Sequence, residues 1–224
     1  VLLRGHYASP NVDLLHIEEM RTKSESNTCP MCGSLHSGTL DHIMPKEAHP
    51  AFAIFGVNLV PACKCNSKRG STLVGRGAGE RILHPYFDDV LKERIVSAQF
   101  SDLGAIPRIS VQMILDPLHP DHSAARFHLD SIVRRTGLLT YLAGRWAKLM
   151  STPRVIAADL RRNPVSRDDL KRILADERDR TDESRDSKNN WDSVFLSGLL
   201  DDDVMDWIFA TMMRHGRLPN TPLL

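Results

Sequence analysis

Cysteine is missing from every position after 65 in this 224-residue chain, so sulfur chemistry of any kind is confined to its N-terminal part. Aromatic residues make up only 6%, too few for a row of stacking rings to stand out, and no base-reading helix can be picked out either. Charge of one sign is not in excess: 29 lysines and arginines face 28 aspartates and glutamates, a formal net charge of +1, so affinity for a polyanion has to come from a local patch. No apolar run approaches the roughly 18 residues a membrane span needs, and no basic segment leads into an apolar one. The expectation is a soluble, cytoplasmic chain with no membrane association. No internal repeat is visible, and a hydrophobic share of 42% with 25% charged residues excludes collagen, coiled coil and bulk disorder. Enough apolar material is present for one sizeable core or two small ones.

What the chain does have is concentrated. Its four cysteines, Cys29, Cys32, Cys63 and Cys65, fall within 37 consecutive residues as two close pairs. Four soft thiolates from two tight turns suit a tetrahedral zinc site. The first pair, Cys29-Pro-Met-Cys32, ends in Gly33, which can take positive φ as such a knuckle requires. The second pair encloses one residue, Lys64, a less usual spacing. A disulfide and buried or redox-active thiols are the alternatives.

Between and after the pairs run Asp41-His42-Ile43-Met44-Pro45, Asn58-Leu59-Val60-Pro61 and Cys65-Asn66-Ser67-Lys68-Arg69-Gly70. Residues 40–44 and 57–60 read as short strands, and residues 66–69 open a helix with asparagine as its cap. Phosphodiester hydrolysis needs a base for water, a cation for the charge that develops, and donors for phosphate, and this segment offers all three. His42 is the candidate base, since a neutral imidazole accepts a proton near pH 7. Asp41 offers a carboxylate of the kind that binds magnesium or manganese. Lys46, Lys64, Lys68, Arg69 and Arg76 face only Asp41 and Glu47 over residues 28–76, a formal +3, with Lys68 and Arg69 the best candidates for phosphate contacts. His36 and His49 match no required position.

These three elements, in this order and inside a four-cysteine frame, resemble the HNH endonucleases of the ββα-metal superfamily, in an HNN variant. The resemblance covers about residues 28–76. It implies a zinc-stapled ββα nuclease module in which His42 is the general base, Asp41 and Asn66 hold a catalytic magnesium or manganese ion, and Asn58 bonds backbone across the loop between the strands. For Asn66 the plain alternative is helix capping, and the short second cysteine spacing bears on its orientation, since one residue turns a helix by about 100°. The implied products carry 5′ phosphate and 3′ hydroxyl, and the implied substrate is nucleic acid, DNA rather than RNA.

Outside the module the expectations are coarser. Residues 1–27 form a helical arm with Asn11 as its cap and a polar stretch over residues 22–28. Residues 71–80 are glycine-rich but lack the lysine of a phosphate-binding loop, so they read as a connector. Residues 77–224 form a mostly helical accessory domain: a helix over 85–93, a small antiparallel sheet from 95–100, 108–115 and 124–129, then helices over 138–150, 155–160, 170–174 and 194–213. Residues 177–190, charged with both signs and without an apolar side chain, read as a solvated linker or a helix end. His119, His122 and His128 read as surface and strand histidines. The fold class expected is α+β.

The run His84-Pro85-Tyr86-Phe87-Asp88 also resembles a stretch following the nuclease motif in bacterial HNH proteins of anti-phage defence, including the HNH subunit of Septu-type systems. That implies a role in defence or restriction and a partner ATPase docking on the helical C-terminal part. A catalytically silent, zinc-dependent DNA-binding or assembly module is the rival function.

Overall fold

The computed structural model describes residues 2–10, 12–23 and 28–224. The chain is α+β, with helices and two small antiparallel sheets. It divides into two compact units, one made of residues 1–95 and 115–136, the other of 96–114 and 137–224. Among the described residues, no helix is long and apolar enough to cross a membrane. Asn11, expected to cap the arm, and residues 24–27 of the polar stretch lie outside the described residues.

In the first unit, α1 (Leu2–Ala8) and α2 (Leu15–Lys23) precede a two-stranded antiparallel sheet of β1 (Thr39–His42) and β2 (Leu59–Ala62). Asp41 pairs with Val60 and His42 with Leu59. Ile17 of α2, Leu40 and Leu59 are buried together, with Tyr7, Leu14, Met20 and Ile54 around them. The helix expected after β2 is a single 3₁₀ turn, Asn66–Lys68, so strand, strand and helix is not the observed order. Two local causes are visible. No side chain caps the turn, and Gly70 follows with φ +63, a left-handed conformation that ends helical growth.

The helix expected over 85–93 shrinks to a 3₁₀ turn at Asp89–Lys92, because the segment before it is held by side-chain bonds. The Asp88 carboxylate takes both terminal nitrogens of Arg81, at 2.6 and 2.7 Å, and the amide of His84. His84 Nε2 lies 2.9 Å from the Val57 carbonyl and the Tyr86 hydroxyl donates to the Leu59 carbonyl, so this run is fastened to the start of β2. Residues 124–129, expected as a strand, lie in α3 (His122–Ser131): Ala124, Ala125, His128 and Leu129 are all buried, a helical spacing that the Phe127 and Leu129 alternation masked.

In the second unit, β3 (Val96–Ser101) and β4 (Arg108–Met113) form the other sheet, which has two strands rather than three. The helices are α4 (Leu138–Ser151), α5 (Arg167–Arg185), α6 (Trp191–Leu199) and α7 (Asp202–Met212). Residues 155–160, expected as helix, hold only short 3₁₀ turns. Phe100 of β3 packs on Trp146 and Phe195, at ring centroid distances of 4.9 and 5.7 Å. Gly198 lets α6 approach β3: a Cβ there would come within 2.6 Å of the Ala98 carbonyl. Of the two readings of the charged stretch, helix end holds over 177–185, which continue α5 to a left-handed residue at Asp186. Ser166 caps that helix, Leu170, Ile173 and Leu174 bury one face, and pairs such as Arg172 with Asp169 and Asp176 support the exposed side.

His128 is a core residue of the first unit. It is 1% exposed; Nε2 donates to the Met31 carbonyl at 2.6 Å and Nδ1 accepts from the Leu83 amide at 3.2 Å, so the ring is neutral. Burial pushes its pKa down to about 4. The unfolded chain binds a proton near pH 6.5 that the folded chain refuses, so this contribution to stability is complete above 6.5 and is lost as pH falls toward 4, by about 1.4 kcal/mol per pH unit. Denaturant unfolding at pH 7 and pH 5 is expected to show the parent losing about 2 kcal/mol more than His128→Asn, which keeps a donor and an acceptor but does not titrate. Equal losses would contradict this.

Candidate metal centre and pocket

The four cysteines converge. Their sulfurs all lie within 4.8 Å of one another, with Cys29 to Cys65 at 3.6 Å and Cys32 to Cys63 at 3.4 Å. These separations are too long for disulfide bonds, and all four thiols are free. Zinc with sulfur at about 2.3 Å in a tetrahedron would set them about 3.8 Å apart, within the observed spread. The knuckle forms as its sequence suggests: the Gly33 amide donates to the Cys29 carbonyl, the Cys29 amide to the Ser34 carbonyl, and Gly33 has φ +74. The one-residue second pair still reaches, because the Cys63 amide donates to Cys29 Sγ at 3.3 Å and Cys65 starts the 3₁₀ turn. Hydrogen bonds from Cys29, Cys32 and Cys65 hold the Cys63 thiol below its ordinary range, while Cys29, Cys32 and Cys63 push Cys65 up. Four thiolates this close repel one another unless a cation joins them. The four cysteines are therefore positioned to bind a metal ion, and their chemistry suits zinc.

Beside this cluster lies a pocket of about 400 Å³ whose wall includes Tyr7, Asp41, His42, Lys46, Asn66 and Arg69. Strand alternation would send Asp41 and His42 to opposite faces, yet both reach it. β1 ends at His42, and Asp41 Oδ1 turns back to accept the His42 amide at 2.8 Å. His42 is buried, and its Nε2 sits 2.9 Å from the Ala53 carbonyl. A carbonyl only accepts, so Nε2 carries the proton and Nδ1 the lone pair. Burial lowers the His42 pKa below the usual histidine value, against the opposing pull of that carbonyl, so the ring is neutral at pH 7.

Asn58 is buried and spans the loop between the strands: Oδ1 accepts the Met44 amide at 2.7 Å, and Nδ2 donates to the carbonyls of Met44 and Phe52 at 3.1 and 3.0 Å. Because Ala53 follows Phe52, the same loop carries the acceptor for His42. Asn66 is 4% exposed; its Oδ1 accepts Arg69 Nε at 3.2 Å, and its Nδ2 is a buried donor with no partner among the described residues.

Lys68 is exposed and stands outside the pocket wall, whereas Arg69 departs from the phosphate role expected for it. Arg69 is 5% exposed, and its guanidinium donates to the carbonyls of Thr72 at 2.8 Å, His42 at 3.2 Å and Ile43, besides Asn66. It ties the end of β1 to the 3₁₀ turn. Tyr7 of α1 was not foreseen: its ring meets His42 edge-on with centroids 4.4 Å apart, its hydroxyl donates to the Leu40 carbonyl, and Lys46 Nζ lies over its face at 4.8 Å. No local pattern marks a lone tyrosine in a short helix for such a place.

Over 81 residues, 34% of this chain, the sequence is 32% identical to Protein ea31 of Escherichia phage lambda. The chain spans about a quarter of that protein's length, 27%. No protein-family model matches the chain. No solved structure matches it either.

The cysteine cluster generates a direct expectation. Purified chain should carry one zinc ion, read by elemental analysis against protein concentration, and Cys63→Ala or Cys29→Ala should lose it together with a large fall in thermal midpoint of the first unit. Metal-free protein of undiminished stability would contradict a structural ion.

Proposed function

We propose that the chain is a metal-dependent, HNH-type endonuclease with a structural zinc ion, acting on nucleic acid and most naturally on DNA. One observation carries this reading: the adjacent Asp41 and His42 and the distant Asn66, which follows the last cysteine, line one pocket next to the four-cysteine cluster. The donor set fits a magnesium or manganese ion. Asp41 Oδ2 has no described hydrogen bond and Asn66 Oδ1 keeps a second lone pair, so these two residues offer hard oxygens in a pocket whose lining has no sulfur. When bound there, such an ion would supply positive charge for the phosphoryl and leaving oxygens.

The protein's own groups account for the remaining requirements. With its Nε2 proton committed to the Ala53 carbonyl, His42 accepts a proton from water at Nδ1. The water oxygen forms its bond to phosphorus as the bond to the 3′ oxygen breaks, and the departing oxygen takes up a proton from solvent. That balance leaves a 5′ phosphate and a 3′ hydroxyl. Asn66 Nδ2, a buried donor whose lack of a partner costs about 1–3 kcal/mol, is satisfied by a phosphate oxygen. Lys46, held over the Tyr7 ring, adds positive charge at the same wall.

Supercoiled plasmid incubated with the zinc-loaded protein is expected to be nicked or linearised when magnesium or manganese is added and to stay intact without it. His42→Ala should slow this by at least about 100-fold while keeping its zinc content and circular dichroism. Folded, zinc-loaded parent that leaves the plasmid intact with both metals would overturn the nuclease reading and favour a binding or assembly module. Undiminished cleavage by His42→Ala would remove His42 as base.

A further inference from the structure

The turn that carries Asn66 has two sides. Asn66 and Ser67 line the pocket, whereas Lys64 and Lys68 are exposed on the same short stretch, whose geometry is set by the Ser67 hydroxyl donating to the Lys64 carbonyl at 2.6 Å. Arg69, which the sequence places beside Lys68 as its companion, is buried and gives four of its N–H groups to oxygens of Asn66, Thr72, His42 and Ile43. A different arginine takes the outer position. Arg135, in the 3₁₀ turn Val133–Arg135 that follows α3, is exposed and reaches across 67 residues of sequence to donate from Nη1 to the Lys68 carbonyl at 3.3 Å.

We infer that Arg135 and Lys68 form a contact for the nucleic-acid backbone just outside the pocket, Arg135 standing where the sequence pattern puts Arg69. This rests on the nuclease reading above and names the group that holds the flanking phosphate. The remaining guanidinium N–H groups of Arg135 form a planar fork suited to a phosphate, and the single bond to the Lys68 carbonyl fixes where that fork sits. Among the described ion pairs none neutralises Arg135, Lys68 or Lys64, while the adjacent Arg134 pairs with Asp130. Positive charge without a protein counterion thus collects on the outer side of the turn whose inner side lines the pocket. A strand with one phosphate in the pocket has its next phosphate beyond the rim, where this pair stands.

The probe is a fluorescently labelled DNA duplex, and the measurement is equilibrium binding by anisotropy over a series of salt concentrations, with zinc-loaded protein and no added magnesium. Arg135→Gln is expected to weaken binding several-fold near 100 mM salt and to reduce the slope of log affinity against log salt by about one, with an unchanged thermal midpoint. Arg135→Lys should restore most of the slope, which a merely structural role would not. Arg134→Gln, at the neighbouring matched cation, should leave both quantities as in the parent. Parent-like affinity and slope in Arg135→Gln overturn the inference while leaving the nuclease reading to its own cleavage assay. Parent protein that cleaves plasmid yet binds this duplex with no salt dependence overturns it as well.

Discussion

A buried guanidinium holds the candidate site together. Arg69 sits almost out of solvent and gives its donors to three backbone carbonyls and one amide oxygen, at His42, Ile43, Thr72 and Asn66. A charge removed from water is costly unless hydrogen bonds replace its hydration, and this one is compensated by acceptors from the end of β1, the 3₁₀ turn and the segment after it. The consequence is geometric. Two short elements that would otherwise wander relative to each other are pinned at the points where Asp41, His42 and Asn66 leave the backbone.

Two further constraints act on the same small region. The cysteines draw residues 29–32 and 63–65 to within 4.8 Å, which fixes the far end of the hairpin, and Asn58 stitches the loop at its near end. With only two strands of four residues each, the sheet cannot hold its own shape, since a lone hairpin is marginal in water. Sulfur cluster, buried arginine and loop asparagine supply what two short strands and a single 3₁₀ turn do not. The ring of His42 is then oriented from two directions, by the Ala53 carbonyl and by the edge of Tyr7. Under the nuclease reading proposed above, preorganisation of this kind would let the neutral imidazole act as a base without reorganising.

The cysteine cluster and the gathering of Asp41, His42 and Asn66 were legible in the sequence, because ligand spacing and motif order survive any detail of packing. Which way a basic residue faces is not. Lys68 and Arg69 are adjacent, and only the carbonyls left open by the end of β1 and by Thr72 decide that the second turns inward. Arg135 and Tyr7 reach the region through tertiary contacts with no sequence periodicity behind them. Helix boundaries failed where side chains overrode composition: Asp88 binding Arg81 and the His84 amide stops a helix at 85–93, whereas an apolar face at Leu170, Ile173 and Leu174 carries α5 on through a stretch with no apolar residues. The strand expected around His128 is a helix because Phe127 and Leu129 in alternation suit a strand and one flank of a helix alike.

The central claim is that one pocket brings together a base and two oxygen ligands for a divalent ion. Diffraction from crystals of the zinc-loaded protein soaked in manganese, with anomalous data collected at the manganese edge, addresses it most directly. The account predicts a manganese peak bounded by the Asp41 carboxylate and the Asn66 amide oxygen, separate from the four sulfurs. A pocket empty of manganese, or a peak that avoids both side chains, would contradict it.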